Sequence, residues 1–220
     1  MRKDITTSAI GIVVLTLVLG VLYPLVITGI SQVAFPGNAN GQQVKLNGKL
    51  VGSKIIGQQF TDPVINKKTG KVELDKNGNP VTTPDPKYFQ TRPSATVPAD
   101  NAAATAFSNA GPNNIATEQA IAANIQAYIA LEKPYVPGLT PSKVPVDAAD
   151  TSASGIDPDI SPANADIQAH RVAAIRHLSL SRVMSLVSTY THGRGLGFSG
   201  EPGVNVLELN LALDRLTGGH

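Results

Sequence analysis

The chain has 220 residues, a formal net charge of +2, 15% charged side chains and no cysteine. That length allows one domain or two small ones. The near-neutral charge argues against a nucleic-acid-binding surface, and the lack of thiols excludes a disulfide framework, a thiolate metal centre and a cysteine nucleophile.

No residue from Ile5 to Val44 is charged, and residues 9–30 are almost wholly apolar. About 20 residues of helix cross the hydrocarbon core of a bilayer, so residues 9–30 are read as a transmembrane anchor. A secretory signal peptide would carry a shorter apolar run, about 7–15 residues, before a small-residue cleavage site. Here Tyr23, Pro24, Leu25, Val26 and Ile27 prolong the run. Pro24 would be costly in a helix in water, but neighbouring helices and hydroxyls can re-satisfy the freed carbonyl in lipid. Arg2 and Lys3 precede the helix and no basic residue follows before Lys45. Positive charge stays on the cytoplasmic side, so residues 1–8 are expected inside the cell and residues 36–220 outside it, as one extracytoplasmic domain. Thr16, Gly20, Pro24 and Thr28 recur every four residues and form a compact stripe on which another helix could pack closely.

Beyond the anchor, Val44, Leu46 and Leu50 alternate with polar residues around Asn47-Gly48, a hairpin signal. Residues 62–86 are rich in Lys, Asn, Thr and Pro, with turn signals at Thr69-Gly70 and Asn77-Gly78, and read as an exposed, inserted hairpin. Residues 98–114, low in complexity, read as loop. A helix capped by Thr117, with Ile121, Ile125 and Ile129 on its apolar face beside Tyr128, runs to the prolines at 134 and 137. Ser161-Pro162 opens the next helix, with Ile167, Val172, Ala174, Ile175 and Leu178 as its buried face. Ser179 caps another, with Leu180, Val183, Met184, Val187 and Tyr190 inward. Val204, Val206, Leu207 and Leu209 read as a strand, and Asn210 as the cap of a short last helix. The expected fold is α+β: one membrane helix followed by a mixed domain with few strands.

No catalytic motif emerges. There is neither a Gly-x-Ser-x-Gly elbow nor a His-Glu-x-x-His helix. His170 and His177 stand seven residues apart on one expected helix, too far for two ligands of one metal, and His220 is terminal. The glycines at 193, 195, 197 and 200 follow a helix and precede a strand, the reverse of a phosphate-binding loop. Asp147, Asp150, Asp157 and Asp159 lack the spacing of a calcium loop and fit turn formation instead. Arg92, after Tyr88-Phe89, fits a partner contact or an internal ion pair equally well.

Taken in order, these segments resemble one family. Tyr23-Pro24-Leu25, Gly57-Gln58-Gln59-Phe60, Tyr88-Phe89-Gln90-Thr91-Arg92-Pro93-Ser94-Ala95 and Val144-Pro145-Val146-Asp147 lead the series. Ser152 to Pro158, Ile160-Ser161-Pro162, Gln168 with Arg171-Val172-Ala173, and Gly200-Glu201-Pro202 continue it. Val204 to Asn210 and Ala212-Leu213-Asp214 end it. The series is similar to the small C subunit of the Kdp-type potassium-transporting ATPase. Two departures stand out: the insertion at 62–86, and Ala106-Phe107-Ser108-Asn109 where the family carries Gly-Gly-Ser-Asn. The resemblance implies a non-catalytic accessory subunit of a complex with a potassium-channel-like subunit, a P-type ATPase subunit and a small helical subunit. It also implies a catalytic-chaperone role that raises the ATP affinity of the hydrolysing subunit. No cofactor is expected to be held firmly by the chain itself. ATP enters through the partner, and Gln168 is the residue to which a direct nucleotide contact would fall. An extracytoplasmic body sits badly with that contact. The competing reading is an anchored extracytoplasmic binding or assembly module unrelated to potassium transport, which co-purifying proteins would distinguish.

Overall fold

The computed structural model describes residues 2–96, 98–104, 109–111 and 113–218; Ala106, Phe107 and Ser108 of the low-complexity stretch and the terminal His220 lie outside the described residues. The chain forms two compact units, one ending at Ser53 and the other beginning at Lys54.

The first unit is built on one long helix. It comprises α1 (Arg2–Leu17), a π-helical turn (Val18–Leu22) and α2 (Tyr23–Ala34). Together they span 33 residues, and this is the one helix among the described residues long and apolar enough to cross a membrane. At 1.5 Å per residue it reaches about 50 Å, so its ends extend past a hydrocarbon core of about 30 Å. None of its side chains is buried within the chain. The π turn has a local cause. Pro24 has no N–H, and its ring crowds the carbonyl of Gly20 four residues earlier. The turn widens just ahead of it, and the Tyr23 amide donates to Val18, five residues back. A short α3 (Pro36–Ala39) leads into the hairpin of β1 (Gln43–Leu46) and β2 (Lys49–Ser53). Asn47 and Gly48 take φ of 50° and 79°, the positive values a tight two-residue hairpin turn requires.

The second unit opens with β3 (Thr61–Pro63) and β4 (Thr82–Pro84), an antiparallel pair that closes residues 62–83 into an excursion. Its interior folds back twice rather than once. The segments around Val64, Glu73 and Val81 meet in a closed triangle of backbone bonds, Glu73 N donating to Val64 O, Val81 N to Glu73 O and Val64 N to Val81 O, each at 2.8 Å. Asn66 and Asp75 accept amide bonds in the two turns. Ile65, Val72, Leu74 and Val81 remain exposed, so the excursion has no core of its own.

Then come α4 (Ile115–Glu132), a 3₁₀ turn (Pro141–Lys143), α5 (Val146–Ala149), β5 (Asp159–Ile160), α6 (Pro162–Ile175) and α7 (Leu180–Thr189). After these follow β6 (Thr191–His192), β7 (Gly203–Asn205) and α8 (Val206–Thr217). β7 lies between β5 and β6 in a small antiparallel sheet. Helices α6, α7 and α8 pack with it around Phe89, Ile160, Val172, Val183, Val204, Leu209 and Leu213. A smaller cluster of Tyr128, Leu139 and Ala148 joins α4 to α5. The fold is α+β with few strands, as the sequence indicated.

Ser161 and Ser179 cap α6 and α7, accepting from the amides of Asn164 and Arg182, as their positions predicted. Four local expectations are corrected. Helix α4 begins earlier, because the Asn114 side chain caps it by accepting from Thr117 N. Its buried positions are Tyr128 and Glu132, while Ile121, Ile125 and Ile129 are half-buried. Helix α6 ends at Ile175, and His177 follows with φ of 56°, so it shares no helical face with His170. The apolar run after Val204 is strand only to Asn205, whose side chain accepts from Glu208 N and starts α8. Such a run fits strand and helix alike by periodicity. Asn210 therefore lies inside α8, where it does other work.

Candidate functional site

The chemistry-bearing residues of the second unit converge on the extended segment Tyr88-Phe89-Gln90. This segment has no β-strand partner, yet its backbone is buried and must be satisfied. Two side-chain amides do so. Asn210 of α8 accepts from Phe89 N at 2.9 Å and donates to Phe89 O at 2.9 Å. Gln168 of α6 accepts from Gln90 N at 2.7 Å and donates to Gln90 O at 3.1 Å. The segment is thus held between two helices as a ladder would hold it, with Phe89 in the core.

Gln168 is 1% exposed. Besides its Gln90 bonds, its Oε1 accepts from Arg171 Nη2 at 3.0 Å and its Nε2 donates to Asn164 Oδ1 at 2.9 Å. A carboxamide offers two N–H groups and two lone pairs, and all four are used. Next on the same face, Arg171 is fully buried and pairs through Nε with Glu132 Oε1 at 2.9 Å. Its Nη1 donates to the carbonyls of Pro86 and Tyr88. Glu132 is equally buried, its second oxygen has no partner, and burial pushes its carboxyl above the ordinary 4.5 against the pull of Arg171. At the other end, Asn164 accepts from the Tyr128 hydroxyl at 2.8 Å and donates to Asp147 at 2.9 Å. Asp147 also takes the Ser161 amide and hydroxyl, at 2.7 and 2.8 Å. Burial raises the Tyr128 phenol as well, so it serves as a donor. One polar chain therefore runs from Asp147 to Glu132 through α6.

The neighbouring groups complete the clamp. Arg176 donates to Lys87 O at 2.7 Å and Asp214 at 2.8 Å, and stacks 4.6 Å from the Tyr88 ring centre. Tyr88 OH donates to Asp214 at 3.1 Å. Arg92, which fitted two roles by sequence, faces inward: its Nη2 donates to Thr151 O at 3.0 Å and its Nη1 lies 3.4 Å from Asp157. Gly57 is buried against Asp157 O and Asp100, where an added Cβ would lie 2.7 and 2.9 Å from them. Asp157 shapes a turn, accepting from Asp159 N at 3.1 Å, whereas Asp159 lies in β5 and meets His192 of β6 at 2.9 Å. Among the described residues no cluster of His, Asp and Glu could hold a metal. The glycines at 193–200 lie in the loop between β6 and β7.

Sequence reasoning missed Glu132, Asn164 and the buried role of Arg171. The signal was present in the spacing of Ser161, Asn164, Gln168 and Arg171, which repeat at three and four residues and mark a polar face on α6.

In the first unit, Thr16, Gly20, Pro24 and Thr28 lie along the anchor, and the π turn, which contains Gly20, falls between Thr16 and Pro24. In a regular α-helix each four-residue step overshoots a full turn by about 40°. The wider π turn advances each residue less, and so straightens the stripe. Gly20 is open: an added Cβ meets only Thr16 Cγ2, at 3.8 Å.

The family model for "KdpC: K+-transporting ATPase, c chain" matches residues 5–215. A potassium-transporting ATPase KdpC subunit of Methylococcus capsulatus is 46% identical over 217 residues, covering 98% of this chain and 100% of the relative. That of Koribacter versatilis is 41% identical, covering 97% and 95%, and that of Streptomyces coelicolor is 42% identical, covering 96% and 92%. With the family model matching residues 5–215 and identities of 41–46% to these relatives over nearly the whole length, the chain belongs to the KdpC family.

Proposed function

We propose that this chain is a non-catalytic subunit of an ATP-driven potassium importer. In this reading one helix anchors it, with residues 1–8 in the cytoplasm and the body outside, and it stabilises the assembly of a channel-like subunit, a P-type ATPase subunit and a small helical subunit. The observation that carries the proposal is the near-complete match to C subunits of potassium-transporting ATPases, joined to the one helix among the described residues long and apolar enough to cross a membrane, its apolar stretch unburied. Deleting the chain should abolish growth in micromolar potassium while sparing growth in millimolar potassium, and the intact chain should restore it. Undiminished uptake from micromolar potassium would overturn the proposal.

We propose further that any effect on ATP affinity passes through subunit contacts. Gln168 has no free hydrogen-bonding position, which supports a structural role for it. A groove of about 380 Å³ is lined by Asp150, Thr151, Asn114, Thr117 and Asn124 among others, with no basic side chain in its lining for a triphosphate. Orientation rests on Arg2 and Lys3. Single cysteines at exposed body positions should react with an impermeant thiol reagent on intact cells, or on spheroplasts where an outer membrane exists. Labelling only after lysis would place the body inside.

The excursion is proposed to be dispensable. It leaves and returns at one place, where Thr61 pairs with Pro84, and Asp85 N closes its foot on Phe60 O at 2.9 Å. Asp85 itself is buried and Pro86 O accepts from Arg171, so the removable part is residues 62–83 rather than the whole of 62–86. Replacing residues 62–83 by Asn-Gly should leave melting within a few degrees and the complex intact. A folded chain that no longer assembles would make the excursion an interface.

A further inference from the structure

The loop between β6 and β7 carries a hydrogen-bonded turn with an apolar tip. Gly195 and Ser199 exchange backbone bonds of 2.7 and 2.8 Å, and Phe198 N donates to Gly195 O at 3.2 Å. The two residues at the tip, Leu196 and Gly197, have φ of 53° and 81°. Both values are positive, as in the tight hairpin turn that favours Asn-Gly. Gly197 suits that geometry and Leu196 does not, since a leucine there crowds its own carbonyl. The strained position nevertheless presents Leu196 at 91% exposure, with Phe198 beside it at 76%. Neither side chain contributes to the core of the second unit. Two large apolar groups held outward on a fixed turn, one of them at a conformational cost, point to a contact outside the chain.

We infer that Leu196 and Phe198 form an anchor that inserts into an apolar socket on another protein subunit of the same ATPase assembly. This rests on membership of that assembly. Two side chains fall far short of the roughly 800 Å² per partner that a stable interface buries, so they suit a partner already held by other contacts, as the subunits of one assembly are, rather than a second copy held by the tip alone. Its base is ringed by charge: Arg194 pairs with the exposed Glu201 at 2.6 Å, and His192 with Asp159 at 2.9 Å. Apolar anchors with a polar, partly solvated rim are the anatomy of protein–protein contacts. With Glu201 matched by Arg194, the rim has no excess positive charge to draw an anionic lipid surface.

A photoactivatable phenylalanine analogue at position 198, in the full chain within native membranes, tests the assignment. The expected product is one crosslink to a protein subunit of the ATPase, identified by mass spectrometry, at least tenfold above that from the same analogue at exposed Val146. A crosslink confined to lipid, a crosslink to a second copy of this chain, or no crosslink while the chain still co-purifies with the ATPase subunits would each overturn it. If the chain does not co-purify with those subunits at all, membership of the assembly fails instead. The Leu196→Asn variant supplies the second reading. It places Asn-Gly in the turn, so melting of the chain should hold or rise while retention of the partner subunits falls at least tenfold. Unchanged retention would equally overturn the anchor.

Discussion

Replacing Arg171 by methionine should cost about 3–5 kcal/mol of stability, the usual consequence of removing one partner from a buried ion pair. Against a typical total of about 5–15 kcal/mol, that loss threatens the fold of the second unit. The reason is connectivity as much as charge. Arg171 holds Glu132 of α4, Gln168 on its own helix and the carbonyls of Pro86 and Tyr88. Without it, Glu132 loses the one group that pulls its carboxyl down, and burial alone remains to push it up. The sign follows from proton linkage. A carboxyl raised in the native state keeps its proton where the unfolded chain has lost it, so its contribution declines as pH rises from about 4.5 toward the raised value. The Arg171→Met variant should therefore be closest to wild type at acid pH and fall further behind toward pH 8. Adding Glu132→Leu should remove that pH dependence but recover only part of the loss, because the two carbonyls stay unpaired. Urea titrations of the full chain in detergent at pH 5 and pH 8 measure both effects. A single variant equally destabilised at the two pH values would show that Glu132 is not left as a buried charge.

Gly20→Leu should release the chain from its complex, lowering co-purification at least tenfold in mild detergent. No hydrophobic drive brings helices together in lipid, so association depends on close backbone approach, which a leucine on the stripe would block. The substitution should not disturb the helix that carries it, since Gly20 has only Thr16 nearby, at an ordinary contact distance of 3.8 Å. The π turn ahead of Pro24 is expected to matter for the same reason, because it keeps Thr16, Gly20, Pro24 and Thr28 on one side. Val14→Leu and Leu19→Val should leave retention unchanged. Equal retention of the Gly20→Leu variant and the wild-type chain would remove the stripe as a required contact.

Much of this architecture is local and could be read from the chain. The anchor follows from residues 9–30, the first hairpin from Asn47-Gly48, and the starts of α6 and α7 from Ser161-Pro162 and Ser179. In each case the residue that encodes the feature lies within a turn of it. The failures are non-local or ambiguous. Asn114, Asn205 and Asn210 are chemically identical, but two cap helices and the third clamps Phe89 from 121 residues away. Apolar periodicity placed Ala174 on the buried face of α6, whereas Asn164, Gln168 and Arg171 occupy it because their partners come from other segments. Arg171 and Glu132 are 39 residues apart, and nothing in either neighbourhood marks the pair. The resemblance to the C subunits ran through Gln168 and Arg171, offering Gln168 as a nucleotide contact and giving Arg171 no role. The structure gives a physical reason: they fasten an unpartnered backbone segment into the core.

Membership of the KdpC family makes this chain an anchored, non-catalytic part of a potassium-transporting ATPase. The most direct test of that role is ATP hydrolysis by material purified through an affinity tag on this chain, from native membranes in mild detergent, with and without potassium. The tagged chain is expected to bring with it a P-type ATPase subunit and a channel-like subunit, and hydrolysis by this material is expected to rise on adding potassium. Recovery of the chain without an ATPase subunit, or hydrolysis indifferent to potassium, would contradict that role.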